Sequence, residues 1–318
     1  MVEPPMSLQP KLLTLVLTAA LAAFATAPRA AEPGDASAQV APRATTQQVL
    51  DASSPSDWRP LDPENTVVMT LASGDVIIEL APQFAPAHVA NIRALARGGF
   101  WDGLSIYRGH DNFVVQWGDP EEDEAKQRAF PNGALRKLPA EFDIAAAGVP
   151  FTVLPDVDGW APQVGFSNGM PAGRDPQAGR AWPLHCYGSV GAGRGLEADS
   201  STGAELYAVI GQSPRQLDRN ITTIGRVVFG MERLSVLPRG PGPLGFYEDQ
   251  SLRTPIQRVR LLADIPEAER PRLEVLRTDT ATWDALIEAR RNRQDDFYKR
   301  PAGHIDVCNV PLPVREPS

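Results

Sequence analysis

The sequence predicts a mainly β protein whose core is a closed antiparallel barrel with short helical caps. Short runs of alternating apolar and polar residues recur along the chain, and helical periodicity appears only near the start and late in the domain. The 31 Pro and 26 Gly residues favour a loop-rich β protein over a helical bundle. With 318 residues, 42% of them hydrophobic, the chain is long enough for a substantial buried core.

The first elements are predicted before residue 120. Residues 66–80 (TVVMTLASGDVIIEL) form two alternating apolar runs around an SGD turn, the pattern of a β-hairpin. Residues 85–98 place Val89, Ile92 and Leu95 at helical spacing and end in two glycines, which predicts a helix. Two more strands are predicted at residues 104–107 and 113–117.

The second half of the chain alternates between irregular and regular patterns. Residues 120–185 have no sustained period, and we interpret them as a long insertion with a few short strands. Strands are predicted at residues 187–190, 206–210, 222–228 and 256–263, with a short helix at 231–237. Residues 282–293 carry Trp283, Leu286 and Ile287 at helical spacing, which predicts an amphipathic helix. The predicted barrel domain is therefore 58–263, interrupted by 120–185 and followed by a helical extension at 264–318.

The N-terminal region has the features of a secretory signal peptide. An apolar run at residues 12–27 follows Lys11 and ends in small residues. The run is shorter than the roughly 20 residues that span a bilayer, so a membrane anchor is the less favoured alternative. We predict a signal peptide over 1–31, a flexible segment over 32–57, and no stable membrane insertion once the signal is removed. The protein is then exported, and to the periplasm if the organism is Gram-negative.

The composition and motifs of the chain argue against two classes of function, nucleic-acid binding and hydrolysis. The net charge is −8 and no long run of Lys or Arg occurs, which argues against a nucleic-acid partner. A hydrolase using His110 or His185 has little support, because no Gly-x-Ser-x-Gly motif is present. We expect no cofactor, no metal and a monomeric protein.

Export places Cys186 and Cys308, the two cysteines of the chain, in an oxidising compartment where a disulfide can persist. Such a bridge closes a loop of about 120 residues and contributes about 4 to 5 kcal/mol on the chain-entropy model. Two separate buried thiols are an alternative. A zinc site with His185 and His304 is another, although the spacing matches no compact zinc motif.

Four segments together resemble the cyclophilin family of peptidyl-prolyl isomerases. In the stretch IYRGHDNFVVQWGD (106–119), Tyr107, Arg108, Phe113, Gln116 and Asp119 match the family's active-site strand in residue type and spacing. Residues 66–108, the pair GSVGAGR (188–194) and GAELYAVIGQ (203–212), and LDRNITTIGRVVFGMERL (217–234) follow in the family's order. The resemblance covers roughly residues 66–263, with a break at the insertion. It implies a barrel of about eight strands capped by two helices. Together with the predicted signal peptide, it indicates a bacterial, exported member of the family.

The resemblance also implies site residues. An X-Pro amide has a rotation barrier of about 18–20 kcal/mol, and a hydrogen bond donated to the prolyl nitrogen removes amide resonance. Arg108 is implied as that catalytic donor, and Gln116 as the residue that orients it and the substrate carbonyl. The implied substrate-binding residues, most of which form an apolar slot for the proline ring, are Phe113, Val114, Glu205, Tyr207, Leu217 and Ile221.

Several residues of the site differ from the family pattern, and these differences suggest an alternative function. Glu205 replaces the usual Gln, and a pair between Glu205 and Arg108 would lower activity. Tyr207 replaces Phe, and Gln216 and Ile221 also differ from the usual residues. We therefore predict a peptidyl-prolyl isomerase that assists folding by acting on X-Pro bonds of exported proteins. The alternative is a weakly active or inactive peptide-binding or chaperone module of the same shape.

The insertion contains three large aromatic residues, Trp160, Phe166 and Trp182. Since it follows the active-site strand directly, it is expected to border the site. Its aromatic residues could cover the groove, extend the substrate contacts, or form a satellite core. We favour the satellite core.

Overall fold

The computed structural model describes residues 43–317 except 122, 124 and 296. The predicted signal peptide and the first part of the 32–57 segment lie outside the described residues. Within the described residues the α-helices are α1 (Thr46–Asp51), α2 (Pro86–Arg97), α3 (Met231–Ser235) and α4 (Ala281–Arg291). None of these helices is long and apolar enough to cross a membrane.

The strands fall into three groups. Eight form the barrel: β2 (Thr66–Leu71), β3 (Gly74–Leu80), β4 (Ser105–Gly109), β5 (Val114–Gly118), β11 (Ser189–Ala192), β12 (Leu206–Val209), β13 (Thr223–Phe229) and β14 (Thr254–Leu261). Five lie in the insertion: β6 (Ile144–Ala145), β7 (Thr152–Val153), β8 (Gln163–Ser167), β9 (Met170–Asp175) and β10 (Arg180–Pro183). The remaining three are β1 (Trp58–Pro60), β15 (Glu274–Leu276) and β16 (Val314–Arg315).

The eight-stranded barrel closes in the order β11-β12-β5-β4-β14-β2-β3-β13, and its neighbouring strands are antiparallel. The predicted fold class is therefore confirmed, and the predicted barrel strands agree with the observed ones to within two residues at either end. Along β2, Met69 faces the barrel interior, whereas its neighbour Val68 packs into an outer cluster with Val275 of β15. Both faces of β2 are thus covered, which explains its nearly continuous apolar sequence.

Two helices pack on the barrel core. α2 begins with Pro86, whose missing N–H costs nothing at the first helical position, and Gly98 caps its C-terminus. Its buried face carries Val89, Ile92 and Leu95 into the barrel core. The short helix α3 follows Gly230, whose positive φ of 86° turns the chain out of β13.

The insertion and the C-terminal extension form a second hydrophobic core together. The insertion strands make a sheet in the order β6-β10-β9-β8-β7. Phe166 of β8 packs edge-on against Trp283 of α4 with ring centroids 4.8 Å apart, and Trp182 joins the same cluster. The satellite core is therefore confirmed for Phe166 and Trp182. Trp160 lies outside it and is 60% exposed.

Helix α1 differs from the prediction, because it lies in the segment that we expected to be flexible. Thr45 and Gln48 form a reciprocal capping box at its start. Val49 is its buried residue and packs into the second core. A helix this short depends on tertiary packing, and a single buried side chain leaves no periodic pattern in the sequence.

Cys186 and Cys308 form a disulfide. The bond ties the end of the insertion to the C-terminal extension, and the two cysteines are 122 residues apart in the sequence. Both sulfur atoms are used in the bond, so the alternatives of separate thiols and of a zinc site are ruled out.

Candidate active site

Three neighbouring barrel strands bring the central polar residues together. Arg108 on β4 is paired across the sheet with Gln116 on β5, and Gln116 is paired with Tyr207 on β12. Residues directly opposite each other in an antiparallel sheet project from the same face, and so do residues two apart on one strand. Val114, two residues before Gln116, therefore lies on this face as well.

The Arg108 guanidinium is held from several sides. Its Nη1 donates to Gln116 Oε1 at 3.0 Å, and its Nε donates to the carbonyl oxygen of Leu244 at 2.8 Å. Its Nη2 lies 3.1 Å from His110 Nδ1, which accepts from it. Burial lowers the pKa of Arg108 from its usual value, but an arginine remains protonated in proteins. The site therefore presents a fixed positive charge.

Two aromatic rings flank this guanidinium. The Arg108 Cζ atom lies 5.1 Å from the ring centre of Phe246 and 5.8 Å from that of Phe113. Both distances are within the range of cation–π attraction. Both rings therefore help to hold the guanidinium in place.

An apolar pocket adjoins Arg108. Val114, Tyr207 and Val209 form its buried part, and Phe113 and Ile221 pack against them. Leu217, the last residue of the 3₁₀ segment Arg215–Leu217, completes the wall. The pocket is lined by rigid strand side chains on one side and by loop side chains on the other.

The predicted site residues all line one groove with a volume of about 410 Å³. They comprise Arg108, Phe113, Val114, Gln116, Glu205, Tyr207, Leu217 and Ile221. The groove also includes residues that were not among the predicted catalytic and substrate-binding residues, namely Gly193, Arg194, Gly195, Ser200, Thr202 and Phe246. The three insertion aromatics do not line it, so the expectation that the insertion borders the groove is not met by these side chains.

The segment at residues 243–247 is the main feature that the sequence prediction missed. Leu244 has a positive φ of 58°, uncommon for a residue with a side chain, and in this conformation its carbonyl oxygen accepts from Arg108. Phe246 stacks on Tyr107 with ring centroids 6.0 Å apart. The sequence signal was two adjacent aromatic residues, Phe246 and Tyr247, in a Pro- and Gly-rich loop, a pattern that carries no positional information.

Glu205 does not pair with Arg108, an interaction that the sequence left open. Glu205 Oε2 accepts from the Tyr107 hydroxyl at 2.6 Å, and its Oε1 accepts from the Asp119 backbone N–H at 2.6 Å. Gly118 makes room for this carboxyl, since a Cβ at Gly118 would lie 2.2 Å from either oxygen. Arg108 is therefore not neutralised by Glu205, although the two are linked through Gln116 and Tyr107.

Burial raises the pKa of Glu205 to about 7. The hydrogen bonds from Tyr107 and from the Asp119 N–H act in the opposite direction, while the nearby Asp119 carboxylate raises the pKa further. Burial is the dominant cause, because the ionised carboxylate loses most of its hydration. Glu205 therefore changes its charge near neutral pH.

The pocket floor is supported from behind by His185. This histidine is completely buried, stacks on the Tyr207 ring, and places Nε2 2.9 Å from the Tyr207 hydroxyl. Its Nδ1 lies 3.1 Å from Asp218 Oδ1 and donates to it, because a carboxylate can only accept. Burial and the Asp218 carboxylate raise the pKa of Tyr207, which keeps the phenol neutral.

These contacts also test whether the protein could have a hydrolase site or a metal site. His185 is inaccessible to a substrate, and His110 is engaged by Arg108, which leaves the hydrolase alternative without a site. Within the described residues, no group of three or more His, Cys, Asp or Glu side chains is placed to hold a metal ion.

A closed antiparallel barrel with a fixed arginine beside an apolar groove is the arrangement that the resemblance predicted for a peptidyl-prolyl isomerase. Residues 66–260 match the family model described as "Cyclophilin type peptidyl-prolyl cis-trans isomerase/CLD". The chain belongs to this family of enzymes, and the resemblance on which the site residues were predicted is confirmed.

Comparison with individual proteins agrees with this assignment. The chain is 30% identical over 179 residues to a Brucella suis protein named "Probable peptidyl-prolyl cis-trans isomerase", covering 56% of this chain and 74% of that protein. A Brucella abortus protein with the same name is 29% identical over the same length. The crystal structure of cyclophilin AquaCyp293 from Hirschia baltica superposes with a TM-score of 0.66 at 27% identity, covering 86% of this chain and 97% of that one.

Proposed function

We propose that the protein catalyses rotation about X-Pro peptide bonds of exported polypeptides through Arg108 and thereby assists their folding. The observation that carries this proposal is the position of the Arg108 guanidinium beside the pocket of Phe113, Val114 and Tyr207. A proline ring fixed in that pocket leaves the residue before it free to rotate. The amide nitrogen then lies beside a permanent donor.

The number of N–H groups on Arg108 suits this chemistry. A guanidinium has five N–H groups, and three of them have acceptors among the described residues. The two others, one on Nη1 and one on Nη2, are available to a substrate. A hydrogen bond to the prolyl nitrogen favours its pyramidal form, which lacks amide resonance and rotates easily. Because the guanidinium is already held in place, little reorganisation is needed during rotation.

Export is supported by two features of the chain. The apolar run at residues 12–27 has the pattern of a signal peptide. The Cys186–Cys308 disulfide suits an oxidising compartment such as the periplasm. Fractionation of cells that produce the full-length chain tests the location, since a variant lacking residues 1–31 is expected to stay in the cytoplasm.

The experiment that tests the activity compares the wild type with Arg108→Ala and Arg108→Lys on a proline tetrapeptide. Arg108→Ala is expected to lower kcat/KM about 100-fold, the typical loss when a transition-state donor is removed. Lysine lacks the planar fork and should restore little. Arg136→Ala is the matched control, because Arg136 stacks on Phe130 outside the groove. An inactive, folded wild type would instead identify a peptide-binding module.

A further inference from the structure

A chain of hydrogen bonds links the Arg108 guanidinium to the buried carboxyl group of Glu205. Arg108 donates to Gln116 Oε1 at 3.0 Å, and Gln116 Nε2 donates to the Tyr107 hydroxyl at 2.6 Å. Tyr107 in turn donates to Glu205 at 2.6 Å. All three bonds point in the same direction, from the cation toward the carboxylate, and such chains strengthen each of their members.

The direction of this chain depends on the charge of Glu205. A carboxylate can only accept, so it takes the Tyr107 proton and leaves the phenol oxygen to accept from the Gln116 amide. The Gln116 oxygen must then face Arg108. If Glu205 is protonated, its own O–H can donate to Tyr107, and Tyr107 can donate to Gln116 after the amide turns over. Gln116 would then present its NH₂ group to Arg108. Both groups are hydrogen-bond donors, so no hydrogen bond could form between them.

We propose that Tyr107 and Glu205 are positioning residues, which hold the Gln116 amide so that its oxygen anchors Arg108, and that catalysis requires Glu205 as a carboxylate. This inference rests on the proposed function. Tyr107 lies behind the groove, where it is 5% exposed, and therefore acts through Gln116 rather than on the substrate. The space left by Gly118 is filled by the Glu205 carboxyl, so the arrangement is built into the barrel wall.

Activity should consequently depend on pH. Burial raises the pKa of Glu205 to about 7, so kcat/KM is expected to increase with pH around neutrality. The ionisable groups that face Glu205 are Tyr107 from β4 and Asp119 from the end of β5. Tyr107 remains protonated because burial and the Glu205 charge raise its pKa. His110 also contacts Arg108 and must be tested separately.

The test measures kcat and KM for a proline tetrapeptide over about pH 5.5 to 8.5. The wild type should show a rise in kcat/KM centred near pH 7. Glu205→Gln, which mimics the protonated acid, and Tyr107→Phe should lose this rise. At pH 8 both should have kcat about fivefold below the wild type, a loss in the range expected for one hydrogen bond. For Tyr107→Phe, KM should be unchanged.

Two controls separate this role from general effects. Tyr247→Phe also removes a buried hydroxyl, one that donates to the Pro238 carbonyl, and should keep the pH-dependent rise. His110→Asn retains an acceptor for Arg108 without a titrating ring, and should keep it too. The inference is overturned if Tyr107→Phe and Glu205→Gln keep the wild-type rate and pH profile, or if His110→Asn abolishes the rise. A wild type without activity would overturn the proposed function itself.

Discussion

Asp158 of the insertion and Arg215 beside the proline pocket form a buried ion pair. Arg215 Nη1 lies 2.8 Å from Asp158 Oδ1, and Nη2 lies 3.2 Å from Oδ2. Both side chains are at most 5% exposed. Arg215 also binds Asp218 through Nε at 2.6 Å. Leu217 lies between Arg215 and Asp218 in the sequence and forms part of the pocket wall. The insertion therefore stabilises this wall through the pair between Asp158 and Arg215.

Asp158→Ala is expected to lower the free energy of unfolding by about 3 kcal/mol, because it leaves the buried Arg215 with one carboxylate fewer. Loosening of the Leu217 turn should also raise KM more than it lowers kcat. Chemical denaturation and steady-state kinetics measure the two effects. Asp123→Ala removes an exposed pair with Lys126 in the same insertion and should cost less than about 1 kcal/mol. Equal losses in both variants would contradict this account.

The raised pKa of Glu205 also predicts how stability depends on pH. Its pKa of about 7 in the folded protein exceeds the ordinary value of 4.5, so ionisation opposes folding. The stabilisation that protonated Glu205 contributes to the folded protein is fully present below about pH 4.5 and is lost as the pH rises through 7. Relative to Glu205→Gln, the wild type should lose up to about 3 kcal/mol between about pH 4.5 and pH 8. A constant difference between the two proteins would contradict the assigned pKa.

The disulfide should contribute strongly to stability. It joins residues separated by 122 positions, for which the chain-entropy model gives about 4 to 5 kcal/mol. Reduction of the wild type should lower the free energy of unfolding by about this amount, whereas the Cys186→Ser/Cys308→Ser double variant should not respond to reductant. A thiol count on denatured, non-reduced protein checks the bond directly. Two reactive thiols would contradict it.

Phe246→Ala tests the loop that the sequence prediction missed. The ring stacks on the Arg108 guanidinium at 5.1 Å and is 37% exposed, so its loss should lower kcat/KM about two- to fivefold. Phe229→Ala is the matched control, because Phe229 is 42% exposed and lies beneath Arg233 at 5.2 Å outside the groove. If both variants keep full activity, Phe246 does not position Arg108.

Much of the barrel and of its site could be predicted because the relevant residues are close in sequence. Arg108 and Gln116 lie on consecutive strands, so their spacing largely determines their register. Alternation in residues 66–80 likewise predicts the hairpin of β2 and β3. Local patterns of this kind can be recognised in the sequence, because each depends on one turn and two short strands.

Other features depend on contacts between distant residues, which local patterns do not encode. The Leu244 carbonyl that anchors Arg108 lies 136 residues further along the chain. Glu205 was predicted near Arg108, but sequence does not reveal in which direction a carboxyl points. The register of β12 with β5 pairs Leu206 with Trp117, which takes Glu205 past Gln116 to the Asp119 N–H. The Arg215–Asp158 pair joins segments that neither spacing nor composition relates.

The most direct test of the central claim is NMR exchange spectroscopy of an Ala-Pro peptide with a small amount of protein. Uncatalysed isomerisation takes tens of seconds or more, so exchange between cis and trans signals within the mixing time reports catalysis alone. The wild type should produce these exchange signals, and Arg108→Ala should still bind the peptide without producing them. Binding by the wild type without exchange would contradict the claim that Arg108 makes this groove a catalyst.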